Sequence, residues 1–231
     1  MKTVGIVGGI GPESTIEYYR FIIEGYRQRQ PDGSYPFIII NSVDLNRLVG
    51  WINAGELDPF TNNLAAAIET LARAGADFAV LAANTAHVVF DQLRERSPIP
   101  LISIAEATCE RARSVGISRP ALLGTRFTMQ ASFYPEVFAR AGLTIITPNE
   151  AEQAFIHEKY FGELLKNVFR DETREQLLAI VDQMKTREAI DGLILGGTEL
   201  PLILRRDEHH GIPFLDTTKI HVDAIVRELF A

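Results

Sequence analysis

The sequence predicts an α/β protein of two pseudo-symmetric lobes, each a mostly parallel sheet flanked by helices, with an active-site cleft between them. Apolar runs of strand length alternate with longer amphipathic segments through all 231 residues, a pattern typical of parallel sheets with helical crossovers. The run FAVLA at 78–82 leads into Asn84 and Thr85, and GLILG at 192–196 leads into Thr198 and Glu199. Because ligands bind at the carboxyl ends of parallel strands, the polar residues after these runs are candidates for a site.

The spacing of the strand ends indicates an internal duplication. Gly8 closes the first strand and Ala83 follows the third, while Gly124 and Gly197 occupy the matching places further on at nearly the same separation. A repeat of this kind predicts two lobes of similar topology. The predicted boundaries are 1–98 plus 210–231 for the first lobe and 99–209 for the second.

In the first lobe, the apolar run at 3–7 predicts a buried strand, followed by a glycine-rich turn and a helix at 13–29. Pro12 suits the first turn of that helix, and Glu13 suits the positive end of its dipole. An amphipathic helix at 60–74 ends at Gly75, a typical C-cap. The other elements predicted here are a strand at 37–41, a helix at 44–52 and the strand at 78–82 with a helix to 96. A strand at 101–104 follows the prolines at 98 and 100, where we place the hinge between the lobes.

In the second lobe, short apolar runs bounded by turn residues again predict strands, and the longer segments between them predict helices. The predicted strands are 120–123, 143–146 and 193–195, and the predicted helices are 106–115, a segment ending near 141, 150–169 and 174–185. The chain ends with a predicted strand at 213–215 and a helix capped by residues 216–218, both in the part assigned to the first lobe.

Composition argues against several classes of function. The net charge is −7, and no basic run is present to neutralise phosphates, so nucleic acid is not an expected partner. The apolar runs are too short to span a bilayer, and the first residues enter a strand rather than a signal peptide, so no membrane partner is expected. Cys109 is the single cysteine, which excludes an internal disulfide and a cysteine-rich zinc site and favours a cytoplasmic protein.

The glycine-rich turn at 8–11 invites comparison with dinucleotide-binding proteins. Gly9 and Gly11 are followed by Pro12, Glu13 and Ser14, so the third glycine of that fingerprint is missing. We interpret the turn instead as one that lets a small ligand approach the backbone.

Five segments together resemble the aspartate/glutamate racemase family. They are GIVGGIGP at 5–12, ANTAH at 83–87, LLGT at 122–125 with Thr128, GGTE at 196–199 and DTTKIH at 216–221. The resemblance covers essentially the whole chain and implies a cofactor-independent amino-acid racemase that acts on aspartate or glutamate as a homodimer. No lysine lies in a recognisable Schiff-base context and no metal-ligand spacing is present, so we expect neither pyridoxal phosphate nor a metal.

The resemblance also implies a pair of catalytic thiols, and this chain departs from it there. Racemisation removes a proton from one face of Cα and returns one to the other, and the family uses one cysteine for each face. Ala83 and Gly197 stand at the positions of those cysteines, so the catalytic positions are not competent for the two-thiol mechanism. Water is expected in the space that Gly197 leaves, and restoring both cysteines is expected to restore racemisation.

Three interpretations of this departure stay open. The chain is an impaired racemase whose replaced thiols trap bound substrate, a non-catalytic amino-acid-binding sensor, or a lyase or decarboxylase of the same superfamily. Some family members that are specific for one enantiomer lack the first cysteine, and a related decarboxylase branch keeps only the second.

The predicted ligand-binding residues follow from the same resemblance. They are Asn84, Thr85, Thr128 and Thr198 for an α-carboxylate or amine at helix N-termini, Arg47 and Lys166 for the distal carboxylate, and Glu199 for the ligand amine. An ordinary helix-capping role is the alternative for the threonines, the asparagine and the glutamate. A solvated helix face is the alternative for the two cations.

The remaining reactive side chains have weaker assignments. His87 either supports the first strand end or is a satisfied, half-buried histidine. Cys109 is expected on a helix face or in the core, away from both strand ends. His209 and His210 lie in a charged segment and are expected at the surface.

Overall fold

The computed structural model describes all 231 residues. They form two compact units, Met1–Ile104 with His221–Ala231, and Ala105–Ile220. The chain passes from the first unit to the second after residue 104 and returns after residue 220. The predicted boundaries, after residues 98 and 209, lie somewhat earlier in the chain. None of the helices has the length and apolar character required to cross a bilayer.

The first unit contains a four-stranded, fully parallel sheet with the strand order β2-β1-β3-β4. Its strands are β1 (Thr3–Gly8), β2 (Phe37–Ser42), β3 (Phe78–Leu81) and β4 (Leu101–Ile102). Its helices are α1 (Pro12–Arg29), α2 (Leu45–Ala54), α3 (Leu57–Arg73) and α4 (Phe90–Arg96), with a 3₁₀ turn at Thr85–Val89 before α4.

The second unit contains a mostly parallel sheet with the order β5-β6-β8-β7, in which only β7 runs antiparallel to its neighbour. Its strands are β5 (Pro120–Gly124), β6 (Gly192–Gly196), β7 (Glu208–His209) and β8 (Ile212–Asp216). The remaining helices are α5 (Ile104–Ser114), α6 (Arg126–Gln130), α7 (Phe133–Arg140), α8 (Glu150–Gly162), α9 (Asp171–Glu188), α10 (Glu199–Leu204) and α11 (Thr217–Leu229), and α11 extends into the first unit from residue 221.

Two predicted elements differ clearly from the structure in extent or type, and one observed strand was not predicted. The strand predicted at 143–146 is reduced to a single parallel bridge between Ile146 and Ala121. Its first amide, that of Leu143, bonds to the carbonyl of Phe138 at the end of α7, while the amides of Thr144 and Ile146 bond to residues 118 and 120 beside β5. The helix predicted at 150–169 ends at Gly162 and is followed by a 3₁₀ turn at Leu164–Lys166. The short strand β7 was not predicted at all.

Each sheet buries apolar side chains on both faces. In β1, Val4 and Ile6 pack with residues of α1 and α11, while Val7 packs on the opposite face with residues of α2, α3 and α4. In the second unit, Leu122 and Ile194 lie on one face, and the alternate residues of the same strands lie on the other. Sheets covered on both faces are expected for parallel strands with helical crossovers, so the predicted α/β fold is confirmed.

The two sheets share a strand order. Ala121 pairs with Leu193 of β6 on one side and with Ile146 on the other, so Ile146 lies beside β5 as β2 lies beside β1. The order Ile146, β5, β6, β8 then corresponds to β2, β1, β3, β4. The carboxyl ends of β3 and β6 are therefore equivalent positions in their respective sheets.

Candidate functional site

The first candidate segment begins where β3 ends. The amide of Ala82 donates to the carbonyl of Val7 at 3.0 Å, and the Ala82 carbonyl accepts from Ser14 Oγ at 2.6 Å, so β1 and α1 both hold this strand end. Ala83 is half-buried and Asn84 is buried. Asn84 has helical backbone angles and its side chain does not cap the 3₁₀ turn that follows, so the capping alternative is wrong for this residue.

His87 holds the strand end through its backbone. The ring is buried, and Nε2 accepts from the amide of Ile104 at 3.1 Å, so the hydrogen is on Nδ1, which donates to the carbonyl of Ala83 at 3.0 Å. Burial, followed by the nearby His221, lowers the pKa of His87 to about 3. His87 is therefore a neutral core histidine that positions Ala83, and it has no nitrogen left to accept a proton from a ligand.

The predicted tight turn after β1 is present and is closed by a side chain. Gly9 has φ 81°, and its amide donates to Thr15 Oγ1 at 2.9 Å. A Cβ at Gly9 would lie 2.3 Å from the carbonyl oxygen of Val43, so only glycine fits where this turn meets the segment after β2. The turn places backbone, and no bulky side chain, at the carboxyl end of β1.

Arg47 lies in the first turn of α2, which follows β2. Asp44 caps this helix, and its carboxylate accepts from the amides of Asn46 and Arg47 at 2.9 and 3.4 Å. The Arg47 side chain is exposed, with its guanidinium carbon 5.2 Å from the centre of the Trp51 ring. The cap sets where α2 begins, so the position of this cation follows from local sequence.

The second candidate segment begins where β6 ends, and a tyrosine occupies the place of the missing side chain. A Cβ built on Gly197 would lie 1.8 Å from Oη and 2.8 Å from Cζ of Tyr160 on α8. Tyr160 is buried, so its ring cannot turn away into solvent. The expectation that water fills the space left by Gly197 is therefore wrong, because the phenol hydroxyl is there.

Tyr160 and Glu199 form a buried acid–base pair beside Gly197. The hydroxyl of Tyr160 donates to Glu199 Oε2 at 2.5 Å, and the Glu199 side chain lies at the start of α10 with only 7% of the residue exposed. Burial and the adjacent carboxylate raise the pKa of Tyr160 well above its usual value. Tyr160 therefore keeps its proton at neutral pH and donates it in a hydrogen bond to Glu199, so that its phenol oxygen lies where a side chain at residue 197 would begin.

Thr128 reaches the same strand end from α6. Its side chain is buried, and its amide donates to Thr125 Oγ1 at 3.3 Å, with the two hydroxyls 3.2 Å apart. A Cβ at Gly124 or Gly196 would lie within 3.1 or 3.2 Å of the Thr128 side chain. The two glycines that end β5 and β6 therefore allow Thr128 to lie against both strands.

Thr198 and Lys166 lie next to this segment. Thr198 precedes α10 with helical backbone angles and does not cap the helix with its side chain, so the capping alternative is wrong here as well. Lys166 ends the 3₁₀ turn at Leu164–Lys166, which packs against α10, and its side chain is exposed.

A third strand end adds residues that were not predicted to bind a ligand. Asp216 ends β8, and its Oδ1 accepts from the amides of Thr218 and Lys219 at 3.1 and 3.2 Å, while burial raises its pKa. Thr217 Oγ1 donates to the carbonyl of Leu195 at 2.8 Å and so ties α11 to β6. Thr218 Oγ1 is buried without a hydrogen-bond partner. The segment DTTKIH contained the signal, since adjacent threonines follow a strand there.

The predicted residues lie mainly at two strand ends. Ala83, Asn84 and Thr85 follow β3, whereas Arg47 lies on α2, the helix after β2. Thr128, Gly197, Thr198 and Glu199 lie around the ends of β5 and β6, with Lys166 beside α10. Cys109 is at neither strand end; it is buried in the core of the second unit, and burial raises the pKa of its thiol. Side chains with metal-ligand geometry lie elsewhere, at the hairpin of β7 and β8.

Several known proteins are similar to this chain. Broad specificity amino-acid racemase RacX from Bacillus subtilis (strain 168) is 28% identical over 159 residues, which cover 65% of this chain and 66% of RacX. The crystal structure of a candidate Asp/Glu racemase from Yersinia pestis superposes with a TM-score of 0.92 at 29% identity, over 100% of both chains. An aspartate racemase homologue from Pyrococcus horikoshii OT3 gives a TM-score of 0.85 at 32% identity, also over 100% of both chains.

A family-level comparison leads to the same assignment. The family model described as Asp/Glu/Hydantoin racemase matches residues 7–225, nearly the whole chain and all of the strand ends described above. The resemblance indicated by the five sequence segments is thereby confirmed. This protein belongs to the Asp/Glu/hydantoin racemase family.

Proposed function

We propose that this protein binds aspartate or glutamate without a cofactor, and that its capacity to racemise them is strongly reduced. The proposal rests on the residues that follow β3 and β6, Ala83 and Gly197, neither of which has a side chain that can transfer a proton. Ala83 has no proton to transfer, and at Gly197 the space for a side chain is taken by the hydroxyl of Tyr160. Racemisation requires a competent group for each face of Cα, and one of the two positions has none.

The remaining polar residues support an amino acid as the ligand. Thr218 Oγ1 is buried without a partner after β8, and the Thr198 hydroxyl is not used to cap α10, so both are suited to hydrogen bonding a carboxylate or amine. We assign the same role to Asn84, Thr85 and Thr128, and assign the ligand amine to Glu199. Lys166, on the turn that packs against α10, and Arg47, on the helix after β2, are exposed cations, and we assign them to the distal carboxylate.

Calorimetry tests the ligand assignment. The D and L forms of aspartate and glutamate are titrated, with alanine as the neutral amino acid. Replacing either cation, Arg47→Met or Lys166→Met, is expected to weaken aspartate and glutamate binding at least ten-fold while leaving any alanine binding unchanged. Arg73→Met, an exposed change at the end of α3, is the matched control. Binding of neutral amino acids alone, or equal losses in the control, would contradict the assignment.

Proton exchange tests the catalytic part. In D₂O, the α-proton signal of bound aspartate is expected to decay near the uncatalysed rate, because an acid–base group contributes roughly 10²–10⁴-fold, Ala83 supplies none, and Tyr160 beside Gly197 keeps its proton. NMR follows the exchange and an optical assay follows chirality. Rapid racemisation by the unmodified chain would refute this part of the proposal, and its loss in Glu199→Gln would identify the Tyr160–Glu199 pair as the base.

One observation favours a second candidate, a lyase or decarboxylase of the same family. A decarboxylation breaks a C–CO₂ bond and leaves a carbanion, which needs one proton donor on one side only. The neutral Tyr160 hydroxyl beside Gly197 is such a donor. The test is carbon dioxide release from a 2-substituted malonate in D₂O, with one solvent deuteron incorporated into the product. If the Tyr160→Phe variant loses both the release and the incorporation, this activity is established in place of amino-acid binding.

We also propose that the protein is a cytoplasmic homodimer. Strand β2 is an edge of its sheet and exposes Phe37 and Ile40 at 61% and 41%, with Tyr35 exposed nearby. An edge strand with exposed apolar side chains is suited to cover by a second copy. Light scattering after size exclusion should give twice the chain mass, and Phe37→Lys should reduce it to the monomer value. A monomer in the unmodified protein would contradict this proposal.

A further inference from the structure

Three side chains that play no part in the candidate site meet where the β7–β8 hairpin lies against α9. His209 is the last residue of β7 and His210 begins the turn, where His210 and Gly211 take φ of 48° and 76°. Asp182 lies on α9. The expectation that both histidines lie at the surface is wrong for His209, whose side chain is only 9% exposed, while that of His210 is 68% exposed.

The donor atoms of these side chains converge. Asp182 Oδ2 is 3.1 Å from His209 Nε2, and Asp182 Oδ1 is 2.9 Å from His210 Nδ1. The two imidazole rings lie side by side, with their centres 4.0 Å apart and a tilt of 32° between them. One nitrogen of each ring contacts the Asp182 carboxylate. One ligand atom from each residue lies within 4.8 Å of the other two.

We propose that Asp182, His209 and His210 form a binding site for a divalent transition-metal ion, with zinc as the reference ion. Two imidazole nitrogens and one carboxylate oxygen are a donor set that suits zinc, nickel and copper and that calcium and magnesium disfavour. Water completes the coordination from the solvent side of His210. The ion would fasten the hairpin to α9, because its ligands come from both.

Two of the separations, each to a different oxygen of Asp182, are close to those that such an ion requires. Tetrahedral ligands at about 2.0–2.1 Å from zinc lie roughly 3.3 Å from one another. The two carboxylate–imidazole distances of 2.9 and 3.1 Å are slightly shorter than this. The ligand atoms need to move apart by a few tenths of an ångström to admit the ion. The Asp182 and His210 side chains are partly exposed, so small rotations of these side chains can supply that movement.

The surrounding charges determine how tightly the ion binds. The guanidinium of Arg206 approaches His209 Nδ1 at 3.3 Å, and since arginine only donates, this contact places the ring hydrogen on Nε2. Metal binding requires a lone pair on Nε2, so Arg206 must release Nδ1. Lys185 adds a second cation, which donates to the carbonyl of His210 at 2.5 Å. Arg206 therefore opposes the metal both by its charge and by the tautomer it selects.

Calorimetric titration of zinc chloride into untagged protein tests the site, since a polyhistidine tag would itself bind zinc. Asp182→Asn and His210→Gln are each expected to weaken binding at least about ten-fold, by loss of a direct ligand. His157→Gln is the matched control, because His157 is a partly exposed histidine on α8 outside the cluster. Arg206→Met is expected to tighten binding, an effect opposite in sign to the ligand changes.

A second readout identifies the ligands directly. Cobalt(II) added to the unmodified protein should give the strong visible absorption of a four-coordinate ion with nitrogen ligands, and His210→Gln should lose it. His210 is exposed, so this variant is expected to fold, and circular dichroism checks that it does. Zinc binding that survives His210→Gln, that is lost in His157→Gln, or that weakens in Arg206→Met would each overturn the proposal, as would no binding by the unmodified protein.

Discussion

Replacing Gly197 by alanine should destabilise this protein through a single contact with Tyr160. The added Cβ would lie 1.8 Å from the phenol oxygen and 2.8 Å from Cζ, well inside van der Waals contact, so the ring must move. Tyr160 is 2% exposed and belongs to the core cluster of the second unit. Moving the ring therefore disturbs packed neighbours and also breaks the hydrogen bond to Glu199.

The two losses set the expected size of the effect. Overpacking a well-filled core costs about 1–3 kcal/mol, and a hydrogen bond to a charged acceptor contributes about 1.5–3 kcal/mol. Because the ring can shift part of the way and keep some of both, we expect a net loss of roughly 2–4 kcal/mol. The same reasoning corrects the expectation that cysteine at this position would simply restore the chemistry, since its Cβ meets the same clash.

A double-mutant cycle measured by urea unfolding checks this account. Tyr160→Leu removes the clashing hydroxyl and Cζ, so its combination with Gly197→Ala should cost at least about 1 kcal/mol less than the sum of the single changes. Gly162→Ala is the control, because a Cβ there meets nothing within 4 Å, and it should be neutral or stabilising. A Gly197→Ala variant as stable as this control, or additive losses in the cycle, would refute the reasoning.

Three further predictions concern stability, each measured by urea unfolding. Burial lowers the pKa of His87 to about 3 and of His221 to about 4, below the ordinary value near 6.5. The unfolded chain therefore binds more protons below that value, and stability should fall by about 3 kcal/mol between pH 7 and pH 5; a flat profile there would contradict the burial of these rings. Tyr18→Phe removes the hydroxyl 2.8 Å from His221 Nδ1 and should cost about 1–2 kcal/mol, whereas an unchanged midpoint would mean that this bond contributes nothing. Asn149→Ala breaks the capping box that Asn149 forms with Glu152 at the start of α8 and should lower the free energy of unfolding by about 1 kcal/mol. An unchanged free energy of unfolding would show that this cap does not stabilise the protein.

The strands and their ends could be predicted because their signals are local. Runs such as 78–82 and 192–196 are too apolar for anything but a buried element, and the small and polar residues that follow mark where each strand stops. The caps at Asp44 and Asn149 fix helix starts in the same way. Segment 143–146 reads like a strand by composition, and the amides of Thr144 and Ile146 do bond to the carbonyls of Ser118 and Pro120 beside β5. The Leu143 amide bonds instead to the end of α7, which no local pattern shows.

The contacts that change the chemical interpretation are not local. Tyr160 precedes Gly197 by more than thirty residues, and nothing near either residue indicates that a phenol fills the space beside the glycine. Asp182 is similarly distant from His209 and His210, so the cluster exists only because α9 packs against the hairpin. In both cases the sequence contained the reactive groups, and their pairing depended on helix packing.

Gly197 and Tyr160 should therefore be understood as one structural feature. With glycine at 197, the Tyr160 hydroxyl can reach Glu199; with any larger residue, it cannot without strain. A thiol at 197 is then compatible with this core only when residue 160 is smaller, so restoring acid–base chemistry after β6 requires at least two coordinated changes. Ala83 differs, because a Cβ is already present there, the residue is half-buried, and its carbonyl, which His87 contacts, does not depend on its side chain. We expect Ala83→Cys alone to fold normally and Gly197→Cys alone to be destabilised, and the reverse order of stabilities in urea would contradict this view of the two strand ends.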